Sequence, residues 1–377
     1  MSAAAGRLPS KLLARLDLAI AHAVHAVDQA CWRAERASYL ARQGHFVQAR
    51  DEISDLHALF DGRPHPAVSA NVAMAEGLLA FHEDVGIAAR DKFKRAQALS
   101  NAARLPQVQA LACAWLAHID YVALDFPSMV CQARQALQLA EPQHHAARSR
   151  ACLVVGGALH FAARLDLAQP WYVRAREHAN ADGDDATLSA LNTNMASQLC
   201  DHALRGSLFG TVVDQAARHA LASAESAESF ERWVGTVSLP AWVPMLRAVA
   251  LSVSDQPQAA LALYKAHLDE AKQQGLSRLA STYVADMAWC EWRVGDSESA
   301  RDSAKAALAC LELTTYADDR AVAHARLAQV FRALGHEAEA LDQEGQAQAR
   351  WTQHQAVQRE VVALLGDWHP DRQYPDR

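Results

Sequence analysis

Long uncharged runs are missing from this sequence. No stretch reaches the roughly 18 consecutive apolar residues a membrane-spanning helix needs, so no membrane span is expected. Near the start, Lys11, Arg15 and Asp17 interrupt the apolar positions, and no small-residue cleavage site follows a hydrophobic core. No secretory leader is read there, and the chain is placed in the cytoplasm. Positive charge is in deficit: 36 Lys and Arg against 43 Asp and Glu leave a net charge of −7, which argues against nonspecific nucleic-acid binding. Paired cysteines are missing too. Cys31, Cys113, Cys131, Cys152, Cys200, Cys290 and Cys310 show no CxxC spacing, and nearly all fall on apolar helical stripes. Buried reduced thiols account for them better than a zinc or redox motif.

Catalytic signatures are also wanting. There is no Gly-rich phosphate loop, no GxSxG elbow and no HExxH pair. His22 and His25 share one helical face and His144-His145 sit in a link. Neither set has a carboxylate or thiolate at ligand spacing, so exposed or capping roles are expected. Cys200-Asp201-His202 are neighbours in sequence, but on a helix neighbours point apart. The acidic stretch 180–185 lacks the alternating order and closing Glu of a calcium loop. No catalytic residue, cofactor or metal ligand is therefore assigned, and the chain is read as a non-enzyme.

What is present is helical periodicity with a repeat. Small residues just after a turn recur at Ala49, Ala89, Ala168, Ala260, Ala300 and Ala340, with Met129 in the same series. The steps are 40, 40, 39, 92, 40 and 40 residues. The long step holds one further unit, set near Gly206 to Arg218 with its register open, plus an insertion of about a dozen residues. Eight helical pairs result. Twelve residues before each marker stand Ala37, Gly77, Ala117, Gly156, Leu199, Ala248, Ala288 and Ala328, nearly all small. Small residues recur where two helix backbones approach closely, because a larger side chain would force them apart. Four residues after the markers, Ile53, Phe93, Ala133, Tyr172, Tyr264 and Ala304 are expected to fill space against the next repeat, while Glu344 suits a terminal unit. Gly44, Gly295 and Gly335 are read as left-handed helix ends. Asp125 and Asp255 are read as N-caps before Pro127 and Pro257, with Pro170 in a first turn.

Leu327-Ala328, Phe331, Gly335 and Ala340 together resemble the tetratricopeptide pattern of two antiparallel helices joined by a tight turn, and the resemblance covers residues 30 to 350. The step of 40 exceeds that family's usual length, and its early Trp and terminal Pro are mostly missing. In this the chain is similar to the 40-residue repeats of bacterial regulatory and sensor proteins. The expected fold is all-α: a right-handed superhelical solenoid of about eight tetratricopeptide-like pairs with an N-terminal capping helix. Residues 1–28 form the cap, 29–221 the N-terminal repeats, 222–240 an irregular insertion, 241–350 the C-terminal repeats, and 351–377 a helix end and frayed tail. Leu13, Leu16, Ile20, Val24 and Val27 make one apolar face of the first helix. That face either shields the first repeat or pairs with a second copy of the chain.

In tetratricopeptide arrays the first helix of each pair lines a concave groove. The resemblance implies the same here for Arg42, Asn71, Phe81, Trp115, His118, Tyr121, Arg150 and His160. In the later repeats it implies Asp286, Trp289, Trp292, Arg293, Arg326 and Gln329. Arginines and aromatics on a concave wall suit capture of a peptide or protein segment, acidic in character. Charge reversal at Arg293 and Arg326 should then abolish capture without altering unfolding. The expected function is a non-enzymatic scaffold or adaptor. The alternative is a sensor that binds a small effector or peptide inside the superhelix and signals through a separate output protein, since neither a Gly-Gly-Asp-Glu-Phe signature nor a DNA-reading module is present.

Overall fold

The computed structural model describes residues 10–84, 89–210, 214–235 and 239–373. Among them every regular element is helical: α1 (Lys11–His22), α2 (Ala26–Arg42), α3 (Phe46–Phe60), α4 (Pro66–Asp84), α5 (Arg90–Ala102), α6 (Pro106–Val122), α7 (Phe126–Leu139), α8 (His145–Phe161) and α9 (Leu165–Asp182). There follow α10 (Asp185–Phe209), α11 (Asp214–Val234), α12 (Trp242–Val253), α13 (Pro257–Gln273), α14 (Ala280–Arg293), α15 (Ser297–Cys310), α16 (Ala317–Ala333), α17 (Glu337–Leu365) and α18 (Pro370–Gln373). From α2 to α17 they follow one another as antiparallel pairs, the even-numbered helix first, in a tetratricopeptide-like solenoid fold. No helix among the described residues is long and apolar enough to cross a membrane.

The small residues twelve before each marker sit at the crossing within each pair. A Cβ added to Gly77 of α4 would lie 2.6 Å from the Phe93 ring of α5, and one on Gly156 of α8 would lie 3.1 Å from the Tyr172 ring of α9. The bulky residue four after the marker thus fills the space its own partner helix leaves open. Phe93 also reaches the next repeat, stacking on Trp115 of α6 with centroids 5.7 Å apart. Ala37, Ala117, Ala248 and Ala288 are fully buried at the same position.

Turn chemistry repeats with the same period. Five residues before the marker, Gly44, Gly295 and Gly335 have φ of 86°, 92° and 81°. In other pairs the position keeps its left-handed backbone without glycine: Leu124, Ala163 and Asp255 have φ of 57°, 58° and 60°. Asp255 is therefore the left-handed residue and not the N-cap of α13, which is Gln256. Asp125 caps α7 as expected, accepting from the Ser128 N–H at 3.1 Å. Pro170 lies inside α9, past its first turn. A left-handed L-residue costs roughly 1–2 kcal/mol, and glycine is itself penalised in the unfolded chain. Ala163→Gly, at an exposed turn, is expected to raise the unfolding free energy by about 0.5–1 kcal/mol, and Gly335→Ala to lower it by a similar amount, in denaturant titrations. No gain from Ala163→Gly would refute the strain.

Contacts divide the chain into two compact units. Unit 1 comprises residues 1–191, 230–238 and 360–377, and unit 2 residues 192–229 and 239–359. The chain passes from one to the other within α10, α11 and α17.

Within unit 1, α1 and α2 are separate helices, broken at Ala23, whose backbone is extended. Leu12 and Leu16 of α1 are buried with Tyr39 of α2 and Ala186 of α10. The Leu12 N–H donates to the Gly183 carbonyl at 3.3 Å, and Arg15 pairs with Asp182 at 2.6 Å. So α1 ties the first pair to the turn before α10, beyond merely shielding α2. The part of the tail from Gly366 that the structure describes, through residue 373, is anchored here as well, where fraying was expected. Trp368 is buried near Trp171, with the Arg134 guanidinium 5.1 Å above its ring.

The stretch expected to be an irregular insertion, 222–240, differs most from its reading. Residues up to Val234 belong to α11, and residues 236–238 lie outside the described set. Ala217, Ala220, Ala224 and Ala227 form a buried stripe at helical spacing. The interspersed Ser and Glu, which look like a loop in sequence, are the polar face of that helix.

Candidate functional site

The first helices carry the expected residues on shared faces, yet those faces are less open than the repeat pattern suggests. In unit 1, Trp115 of α6 is only 2% exposed. Phe81 of α4 meets it edge-on at 5.5 Å, His82 at 5.9 Å and His118 at 5.7 Å. Over its face lies the guanidinium of Arg150 from α8, with Cζ 3.9 Å from the ring centroid. Arg150 is 5% exposed and makes no hydrogen bond or ion pair among the described residues. Burial first, then the nearby Arg42 charge, pulls its proton affinity far below the usual guanidinium value, to about 9. Burial, followed by the Arg150 charge, lowers His82 to about 3 and holds His118 well below the ordinary imidazole value. Both histidines are therefore neutral near pH 7.

Arg42 of α2 is held differently. It pairs with Asp184, donates to Thr187 Oγ1 at 3.0 Å, and lies over the Tyr39 ring. Asp184 in turn caps α10 by accepting from the Thr187 N–H at 3.0 Å. Beside this pair Glu35 is raised to about 7, by burial and then by Asp182. Asn71 donates to its own helix, to the Ala67 carbonyl. Tyr121 is half-buried, its ring 6.4 Å from His118, and His160 Nδ1 lies 3.3 Å from the Tyr172 hydroxyl. Arg42, Asn71 and His160 thus have structural partners, and Arg150 is the cation of this face without one among the described residues.

In unit 2 the expected residues divide into a buried and a surface set. Asp286 of α14 is 1% exposed; it accepts from the Tyr264 hydroxyl at 2.7 Å and pairs with Arg326 of α16 at 2.7 Å. Arg326 is 4% exposed, and its Nη1 donates to Gln329. This pair belongs to the interior of the repeat stack. Charge reversal at Arg326 is therefore expected to cost stability, where the sequence alone suggested none. Trp289 and Trp292 are half-buried and stacked on each other, centroids 5.0 Å apart and planes 26° apart. Arg326 lies 5.5 Å and Arg293 5.8 Å from the Trp289 centroid. Arg293 is on the surface and pairs with Asp255 at 2.6 Å. Trp289, Trp292 and Arg293 form the accessible part of this face.

A second charged group in unit 2 has no counterpart in the sequence reading. Arg205 of α10 pairs with Asp318 at 3.2 Å, and Arg278 with Asp319 at 3.2 Å. Burial, then the Asp318 carboxylate, pushes Asp319 well above the usual range. The Asp318-Asp319 doublet at the start of α16 is its one local signal, and the lost register of α10 hid Arg205.

Among the described residues no group of His, Cys, Asp and Glu could hold a metal ion. The Cys200 thiol is fully buried and pushed far up by that burial, which removes it as a nucleophile.

No protein-family model matches the sequence. No curated protein matches it. Among solved structures, the chain is similar to a Rap protein complexed with competence and sporulation factor, with a TM-score of 0.56 at 12% identity. The match covers 93% of this chain and 92% of that one. At that identity the likeness carries the fold alone: helix pairs in sequence, stacked as a tetratricopeptide-type solenoid.

Proposed function

We propose, from a fold shared with a Rap protein crystallised with competence and sporulation factor, that this chain is a non-catalytic recognition scaffold for a peptide or protein segment. The observation that carries the reading is the Trp289–Trp292 stack in unit 2, half-open to solvent and flanked by Arg293. Trp289 rests one side on the core of unit 2, and the stack leaves the remaining indole surface partly wet beside Arg293. Rigid indoles beside a guanidinium are the side chains that anchor binding surfaces. The partner segment is apolar with a carboxylate that competes with Asp255 for Arg293.

The test is selection of peptides from a random library on the full chain, repeated with Trp292→Ala combined with Arg293→Glu. Enriched peptides are expected to combine acidic and apolar residues and to bind the variant at least about tenfold more weakly, since anchor truncations cost 2 kcal/mol or more. The unfolding midpoint should be nearly unchanged. Peptides that bind both proteins equally, or a library without enrichment, would remove the reading.

A further inference from the structure

Buried arginines in folded proteins are paired, because an isolated charge out of water is costly. Arg150 breaks that rule. It is 5% exposed, and no carboxylate among the described residues pairs with it. The nearby Asp184 is already engaged by Arg42 and Thr187. Fully buried polar atoms without a partner include His82 Nε2 but none of the Arg150 nitrogens, so the guanidinium keeps a narrow contact with solvent. Arg150 and His82 both lie within 6 Å of the Trp115 ring centroid, one over its face and one at its edge.

We infer that Arg150, Trp115 and His82 form a carboxylate-binding site on the inner face of unit 1. The site lies outside the Trp289–Trp292 face on which the proposed function rests. The guanidinium supplies a planar fork that donates to two carboxylate oxygens, and Trp115 fixes its plane from below. His82 is neutral, so it adds no second charge beside the guanidinium. Charge selects the class of ligand. Arg42 and Asp184 cancel, both histidines are uncharged, and Glu35, raised to about 7 and so partly protonated, sits with the Arg42 group, which leaves the Arg150 charge on the Trp115 ring to neutralise. A carboxylate balances it, whereas the dianion that makes up a large share of inorganic phosphate near neutral pH would bury a charge in excess. The carboxylate belongs either to the end of a peptide chain or to a small organic acid.

The experiment is thermal unfolding of the full chain at pH 7 with N-acetylglycine, N-acetylglycinamide and inorganic phosphate, each up to about 100 mM. The acid is expected to raise the midpoint, with the amide without effect and phosphate weaker than the acid. Arg150→Gln should abolish the shift. Because it removes an unpaired buried charge, it should fold at least as well as the parent without ligand. Arg150→Lys keeps the charge but not the fork and is expected to bind about tenfold more weakly, which retains the test should the Gln variant fail to fold. Lengthening the acid to a tripeptide separates the sources: rising affinity marks a chain terminus, and flat affinity a small acid. Equal shifts from acid and amide, undiminished binding by both Arg150 variants, phosphate tighter than the acid, or no shift at all would each overturn the site. The Trp292 variant should leave these shifts intact, so this site and the peptide face stand or fall separately.

Discussion

Gly77→Ala is expected to lower the unfolding free energy by about 1–3 kcal/mol, although the change removes a glycine from the middle of a helix. In an open helix the same change would stabilise by about 0.5–1 kcal/mol. The sign inverts because the new methyl would stand 2.6 Å from Phe93 Cε1 and 2.7 Å from Cδ1. Phe93 has nowhere to retreat: it is fully buried, with Trp115 stacked at 17° to its plane. The damage should therefore pass into the next repeat and disturb the indole under Arg150. Gly157 supplies the control. A Cβ there meets only the Tyr121 ring, at 3.7 Å, so Gly157→Ala should be neutral or stabilising. Phe93→Leu should recover part of the loss in the Gly77→Ala background while costing stability alone, a coupling that a double-mutant cycle in urea measures. If Gly77→Ala unfolds at or above the parent midpoint, close helix approach is not what places small residues at this position.

That one contact also explains how much of the fold was legible. A crossing of two backbones leaves a mark in the sequence, a small residue opposite a filler, and the mark recurs with the turn that follows it. Periodicity of that kind survives even when Leu124 or Ala163 replaces the glycine of the turn, because spacing and not identity carries it. The fifth pair lost its register because α10 and α11, with 25 and 21 residues, are longer than their neighbours and share no marker with them. The inner face was legible as a list of residues but not as a surface. Arg42 and Asp184 meet across 142 residues of chain, and no local pattern announces that contact. Nor does any pattern separate Arg150, which faces a ring, from Arg326, which faces a carboxylate. Both are arginines on a first helix, and the difference lies in which neighbour the stack brings opposite.

Asp286→Ala is expected to destabilise the protein by about 3–5 kcal/mol, the largest single effect among these residues. Truncation leaves Arg326, 4% exposed, without its carboxylate, and leaves the Tyr264 hydroxyl without its acceptor. Arg326 Nε is already buried without a partner, so the site cannot absorb a further loss. The pair itself is a different matter. Removing both charges as Asp286→Leu with Arg326→Met takes away the attraction and the desolvation cost together, and most of the stability should return. A denaturant series on the parent, two single variants and the double variant gives the coupling directly. Arg293→Glu provides the comparison on the same face: its partner Asp255 is exposed, and the reversal should change stability by no more than about 1 kcal/mol. Should Arg326→Glu prove as harmless as Arg293→Glu, the Asp286–Arg326 pair is not interior, and Arg326 would return to the binding face with Trp289.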